Sequence, residues 1–221
     1  MRHGRDILKK FDLLWPLGVI AIVFCITRES FVVFAGNHLY ISGFVKFGLL
    51  APMGELLVIR MAKGDWKLSS GFIFRVIIWG ILGMGIALAF KLFEYGVIAV
   101  LDKGLIFGQG NKILTAFYIS AIMNLTFGPI MMGTHKITDK FIDLKYENKG
   151  KKVSINDAVK AVDWHGFITF VVFKTVPFFW IPAHTIVFLL PGEYRLVVAA
   201  LLSIALGILL TLANKKPKTA K

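Results

Sequence analysis

The sequence predicts an all-α integral membrane protein: a helical bundle of about six spans with proline-kinked helices. Three observations carry that expectation. Of 221 residues, 57% are hydrophobic and only 18% charged, whereas soluble domains average about a quarter charged. Mean hydropathy is +0.72. The apolar residues gather in runs close to the roughly 20 residues that a helix needs to cross a bilayer, with short basic stretches between them. Residues 1–221 read as a single membrane domain with a polar loop at about 134–164 and a basic tail at 214–221.

The first candidate span is Leu13 to Thr27, preceded by an amphipathic stretch from Ile7 to Asp12. Phe24 precedes Cys25 where a lipoprotein signal needs a small residue, and no small-residue cleavage site follows, so the run reads as a retained helix. Cys25, the one cysteine, is expected to be a buried structural thiol. FVVFAGNHLYISG then reads as a short interfacial or re-entrant piece. The second span runs from Gly43 to Met61, the third from Gly71 to Leu101, the fourth from Ile113 to Gly133, the fifth from Phe167 to Leu190 and the sixth from Leu196 to Ala213. Within the loop, KYENKGKKVSINDA predicts a turn at Gly150 and then a helix. Ser154 and Asp157 have capping-box spacing, and Ile155, Val159 and Val162 share a face that suits a membrane surface.

Net charge is +13, but the cations sit between apolar runs rather than along one face, which argues against nucleic acid as a partner and for anionic lipid headgroups. With six spans, eighteen Lys and Arg fall on one side and five, Lys46 among them, on the other; Arg75, Lys91 and Lys174 lie within spans. The positive-inside bias puts both termini in the cytoplasm. No organellar targeting pattern is evident, so a bacterial inner membrane is expected. Homo-oligomerisation stays open.

Ionisable groups inside spans are costly and need a reason. Glu55 follows Pro52 and Gly54 with no cation within a turn, and suits the wall of a polar cavity or a pair with another span. Lys91 and Glu94 have the i, i+3 spacing of an ion pair. Lys174 and His184 occupy the fifth span. With Glu55, Lys91 and Glu94 they form the expected polar lining, although a lone His184 also suits a hydrogen-bonded packing role. Arg75 is close enough to a span end to snorkel to the headgroups. Pro52, Pro129, Pro177 and Pro182 each remove a backbone donor, and a kink of this kind is tolerated in lipid when it faces protein or water. His135 and Asp139, four apart, read as a solvated helix end, so no metal or cofactor ligands are expected. There is no His-Glu-x-x-His, no Gly-x-Ser-x-Gly and no pair of aspartates in facing spans, which argues against an intramembrane enzyme.

PGEYRL with the apolar run that follows resembles the carboxy-terminal signature of the Mpv-seventeen family, to which the twenty-two-kilodalton peroxisomal membrane protein belongs. Trp180, Pro182, Phe188, Pro191, Tyr194 and Arg195 fall in the family's order, with Ile181 between Trp180 and Pro182. APMGELL, with Gly54 and Glu55, is similar to the family's Gly-Asp pair, and NLTFGPIM stands where the family has a Phe–Pro helix break. FKLFEYG, Phe90 to Gly96, stands in place of a His-x-Trp-Tyr element. The resemblance implies a membrane helix bundle and, for some relatives, a pore for small solutes or ions. The expected function is therefore a passive or gated path for small hydrophilic solutes or ions. A non-transporting structural, lipid-organising or partner-binding protein is the alternative.

Overall fold

A computed structural model describes residues 2–148 and 152–213, with side chains from Phe11 to Leu212. The basic tail at 214–221 and the turn at Gly150 lie outside the described residues, as do the side chains of Arg2, Arg5, Lys9 and Lys10. Among the described residues every regular element is helical: α1 (Arg2–Thr27), α2 (Glu29–Asn37), α3 (Leu39–Lys63), α4 (Phe72–Asp102), α5 (Lys112–Glu147), α6 (Ile155–Ala161), α7 (Trp164–Gly166), a π-helical stretch (Phe167–Trp180), α8 (Ile181–Leu189) and α9 (Gly192–Ala213). Five of these rods are long and apolar enough to span a membrane: α3, α4, α5, the continuous rod Trp164–Leu189, and α9. The protein is a multi-pass helical membrane bundle.

The first candidate span differs from the expectation. α1 from Phe11 and α2 meet at a bend of 63° around Arg28, so the re-entrant reading of FVVFAGN fits α2 while YISG belongs to α3. Cys25 is exposed on α1 rather than buried. The fourth span also continues past Gly133, through the expected loop, to Glu147. At 1.5 Å per residue its 36 residues extend about 54 Å, well beyond a hydrocarbon core of about 30 Å. The remaining polar segment carries α6, whose Ser154–Asp157 capping box is formed as its spacing predicts.

Glycine sets the closest helix contact. α3 and α4 cross at Gly43 and Gly83, where a Cβ on either would collide with the other's carbonyl oxygen. Small residues allow this approach, which substitutes for a hydrophobic driving force that lipid does not supply. Gly54 packs its Cα side against Ile204 of α9, so α3 is held between α4 and α9. α3 ends at Gly64, whose φ of 78° lets its N–H cap the Arg60 carbonyl.

The four prolines do not end their helices. Pro52, Pro129 and Pro177 lie inside continuous helical winding, and Pro182 sits where the rod passes from π winding into α8. Pro52 is fully buried, but Pro182 is exposed, so the expectation that every kink faces the interior fails there. Around Pro177 the chain adopts π winding, in which the Thr175 hydroxyl donates to Phe170 O five residues back at 3.2 Å. Pro16 is a further proline within α1.

Candidate functional site

Arg75, Trp79, Ile86, Phe90 and Glu94 of α4 fall on one stripe at helical spacing. α5 supplies a matching stripe of Asn124, Gly128, Met131, His135, Asp139 and Asp143. Along these stripes the bundle holds three regions in sequence. One is a charged cluster toward the end that carries Arg60 and Lys63. Next comes a small, mostly apolar cavity, and then a polar cleft at the opposite end.

In the cluster, Arg75 Nη1 lies 2.7 Å from Asp139 Oδ1 and Nη2 lies 2.5 Å from Asp143 Oδ1, and its Nε donates to Ser70 O at 3.2 Å. Arg75 is buried and does not snorkel. Two carboxylates one turn apart on α5 hold it inside the bundle, a partnership that the early end assigned to the fourth span had concealed. Glu55 accepts a hydrogen bond from Trp79 Nε1 at 2.7 Å and lies 3.9 Å from His135 Nε2, which is 3.3 Å from Asp139 Oδ2. His135 and Asp139 are therefore not a solvated helix end, because α5 runs past them and they pack against α3 and α4. One ligand atom from each of Glu55, His135 and Asp139 lies within 4.8 Å of the others, a spacing that can hold a cation with nitrogen and oxygen donors. The Arg75 guanidinium on Asp139 opposes such a cation.

The cavity, about 100 Å³, is lined by aromatic and methionine side chains, with polar groups toward its ends. Toward the cluster stands His135, packed on Trp79 with ring centroids 4.2 Å apart and the planes tilted by 51°. Farther along, His184 Nδ1 meets Asn124 Nδ2 at 3.0 Å, and Ser120 Oγ ties α5 to the rod through Ile181 O at 2.7 Å. Trp180 stacks on His184 at 5.2 Å. His135 Nδ1 and Trp180 Nε1 are buried without a protein partner. Unpaired buried polar groups are costly unless water or a solute satisfies them, and 100 Å³ accommodates several waters.

The cleft, about 440 Å³, is bounded by α2, α3, α4 and the start of α9, and carries Lys46, Lys91, Glu94, Glu193 and Arg195. Arg195 Nη1 donates to Glu94 Oε1 at 2.6 Å, and Lys91 Nζ lies 3.5 Å from Glu94 Oε2. Arg195 therefore pairs across helices with Glu94 and not with its neighbour Glu193. Its guanidinium also lies 5.6 Å from the Phe188 ring centroid. Phe90 lines both cleft and cavity, packed on Phe188 at 4.9 Å and edge-on to His184 at 5.7 Å.

Family models, curated proteins and solved structures alike provide no match to this chain.

Of the residues expected as polar lining, Lys91 and Glu94 line the cleft, His184 lines the cavity, and Glu55 stands behind Trp79 and His135. Lys174 is exposed on the bundle surface and lines neither space. Tyr194 and Pro191 are likewise exposed beside Arg195. Sequence reasoning missed Lys46, which it had assigned to an outer connection but which α3 buries, and it missed Asp143, Trp79 and Phe90. The α4 stripe was the available signal for the last two.

Proposed function

We propose that the protein provides a gated path for small hydrophilic solutes or ions, closed in this conformation at Phe90. The observation that carries this reading is the shared wall. Phe90 lines both the polar cleft of about 440 Å³ and the cavity of about 100 Å³ that reaches His135 of the charged cluster. An apolar, aromatic-lined constriction between polar ends blocks ions by excluding water, and movement of the Phe90 side chain would join the cleft to the cavity. His135 would then meet the solute at the far end, with Glu55 and Asp139 setting the charge behind it, a use that polar residues inside a membrane often have. The likeness of the segment around Trp180 and Arg195 to the Mpv-seventeen family points the same way.

Thiol accessibility tests the wall. Cys25→Ser removes the one native thiol, and Ala35→Cys and Ser203→Cys then place single probes in the cleft and the cavity. An impermeant maleimide added from the cleft side is expected to label Ala35→Cys readily and Ser203→Cys slowly, with Phe90→Ala accelerating only the second. Equal labelling of Ser203→Cys with and without Phe90 would remove the gate.

A second reading has its own support. Each carboxylate in the cluster and the cleft wall, Glu55, Glu94, Asp139 and Asp143, faces a donor or cation on another helix, as a static lipid-organising bundle requires. It differs in expecting no solute movement from any variant.

A further inference from the structure

Lys46 stands apart from every other ionisable group in the bundle. It lies seven residues into α3, only 4% exposed, and among the described residues it makes no hydrogen bond or ion pair. The nearest compensating feature is the Phe31 ring, with its centroid 5.7 Å from Nζ. An ammonium in this setting is expensive, and membrane proteins keep such groups where they meet a counter-charge or a water-filled space. Lys46 borders the cleft, and so do Lys91 and Arg195, which share the single carboxylate Glu94. Glu193 adds one exposed charge at the rim. Three cations thus face two carboxylates, and the most buried cation is the one without a partner.

We propose that this cleft binds a phosphate-bearing anion, held by Lys46 at its base with Lys91 and Arg195 at its sides. Arg195 Nε donates to Leu190 O and Nη1 to Glu94, which leaves Nη2 to donate to a phosphate oxygen, and the lysines supply point charges from other directions. The volume is several times that of the inner cavity, enough for a phosphate together with part of the molecule that carries it. The position, near the start of α9 and under α2, suits either a free phosphate compound entering from water or a phospholipid headgroup entering from the bilayer. The chemistry that recognises the two is the same.

The test is ligand-dependent thermal stability of the full chain, delipidated in a neutral detergent. It is measured with inorganic phosphate against chloride at matched ionic strength, and with phosphatidylglycerol against phosphatidylcholine nanodiscs. Inorganic phosphate is expected to raise the melting temperature of the native protein. Lys46→Met should weaken that binding at least tenfold, while Lys46→Arg retains it and the surface change Lys174→Met leaves it unaltered. A response to phosphatidylglycerol alone, lost in Lys46→Met, would assign the site to lipid headgroups. Without ligand, Lys46→Met should melt no lower than the native chain, because it removes an uncompensated buried charge; a residue retained only for packing would give a loss instead. No response to either ligand, or the same response with and without the Lys46 ammonium, would overturn the proposal. The assay reads binding and not flux, so failure of the gated path leaves its outcome unchanged.

Discussion

Replacing Arg75 with methionine keeps an unbranched apolar stem and removes the charge that joins α4 to α5. The Arg75 side chain is 8% exposed, against 27% for Asp139 and 38% for Asp143. The Asp143 contact is open enough to count as a surface pair, below about 1 kcal/mol. The Asp139 contact is nearer to a buried pair, whose one-sided removal costs about 3–5 kcal/mol because the remaining charge stays buried. With a quarter of Asp139 reaching solvent, the lower end applies, for a total of about 3 kcal/mol. For a chain of this size that corresponds to a fall in melting temperature of roughly 6–12 °C. Asp143→Asn, which removes only the exposed partner, should cost below about 1 kcal/mol. Scanning fluorimetry in detergent measures both, and Arg75→Met with Asp139→Asn should recover part of the loss, since no buried charge is then left alone. An Arg75→Met protein that melts with the native one would refute the reasoning and return Arg75 to the headgroup region.

Three further outcomes follow from the same geometry. Gly83→Ala places a methyl against the Gly43 carbonyl and should destabilise by about 1–3 kcal/mol through overpacking, with Gly85→Ala, which has room, as the neutral comparison. In α6 the Ser154 hydroxyl, and then its backbone N–H, hold the Asp157 carboxyl below its ordinary range. The folded value lies under the unfolded one, so this support is complete above about pH 4 and is lost as the pH falls through the folded value. Amide exchange at Asp157 and Ala158 should accelerate only in that acid window. Ser154→Ala removes the cap at all pH values and should cost about 1 kcal/mol of α6 stability, read by the same exchange measurement.

Composition and run length were enough to expect a membrane helix bundle, because lipid permits few other backbone arrangements. The boundaries of α3, α4 and α9 lie within a few residues of the apolar runs. α5 was not legible in the same way. Its last third, from Thr134 to Glu147, is polar, and hydropathy cannot distinguish a loop from a helix that leaves the membrane. Periodicity could have done so, since Met131, His135, Asp139 and Asp143 continue the stripe begun at Asn124. Missing that extension hid the cluster: His135 and Asp139 looked solvated, Arg75 looked free to snorkel, and Glu55 had no visible neighbour. Lys46 was missed for the opposite reason. Its place near the start of an apolar run fits an outer loop as well as a buried helix, and only the packing of α2, α4 and α9 around it decides. Arg195 pairs with a residue 101 positions away, a separation that no local pattern encodes.

Conductance of the purified protein in a planar bilayer, native beside Phe90→Ala and Phe90→Ala with Glu55→Gln, tests the gated path most directly. The native protein should be closed or open rarely, Phe90→Ala should give sustained discrete openings, and Glu55→Gln should shift the ion selectivity of those openings. Folded Phe90→Ala protein that stays as silent as the native chain would contradict the path and leave the static, paired bundle as the account of this fold.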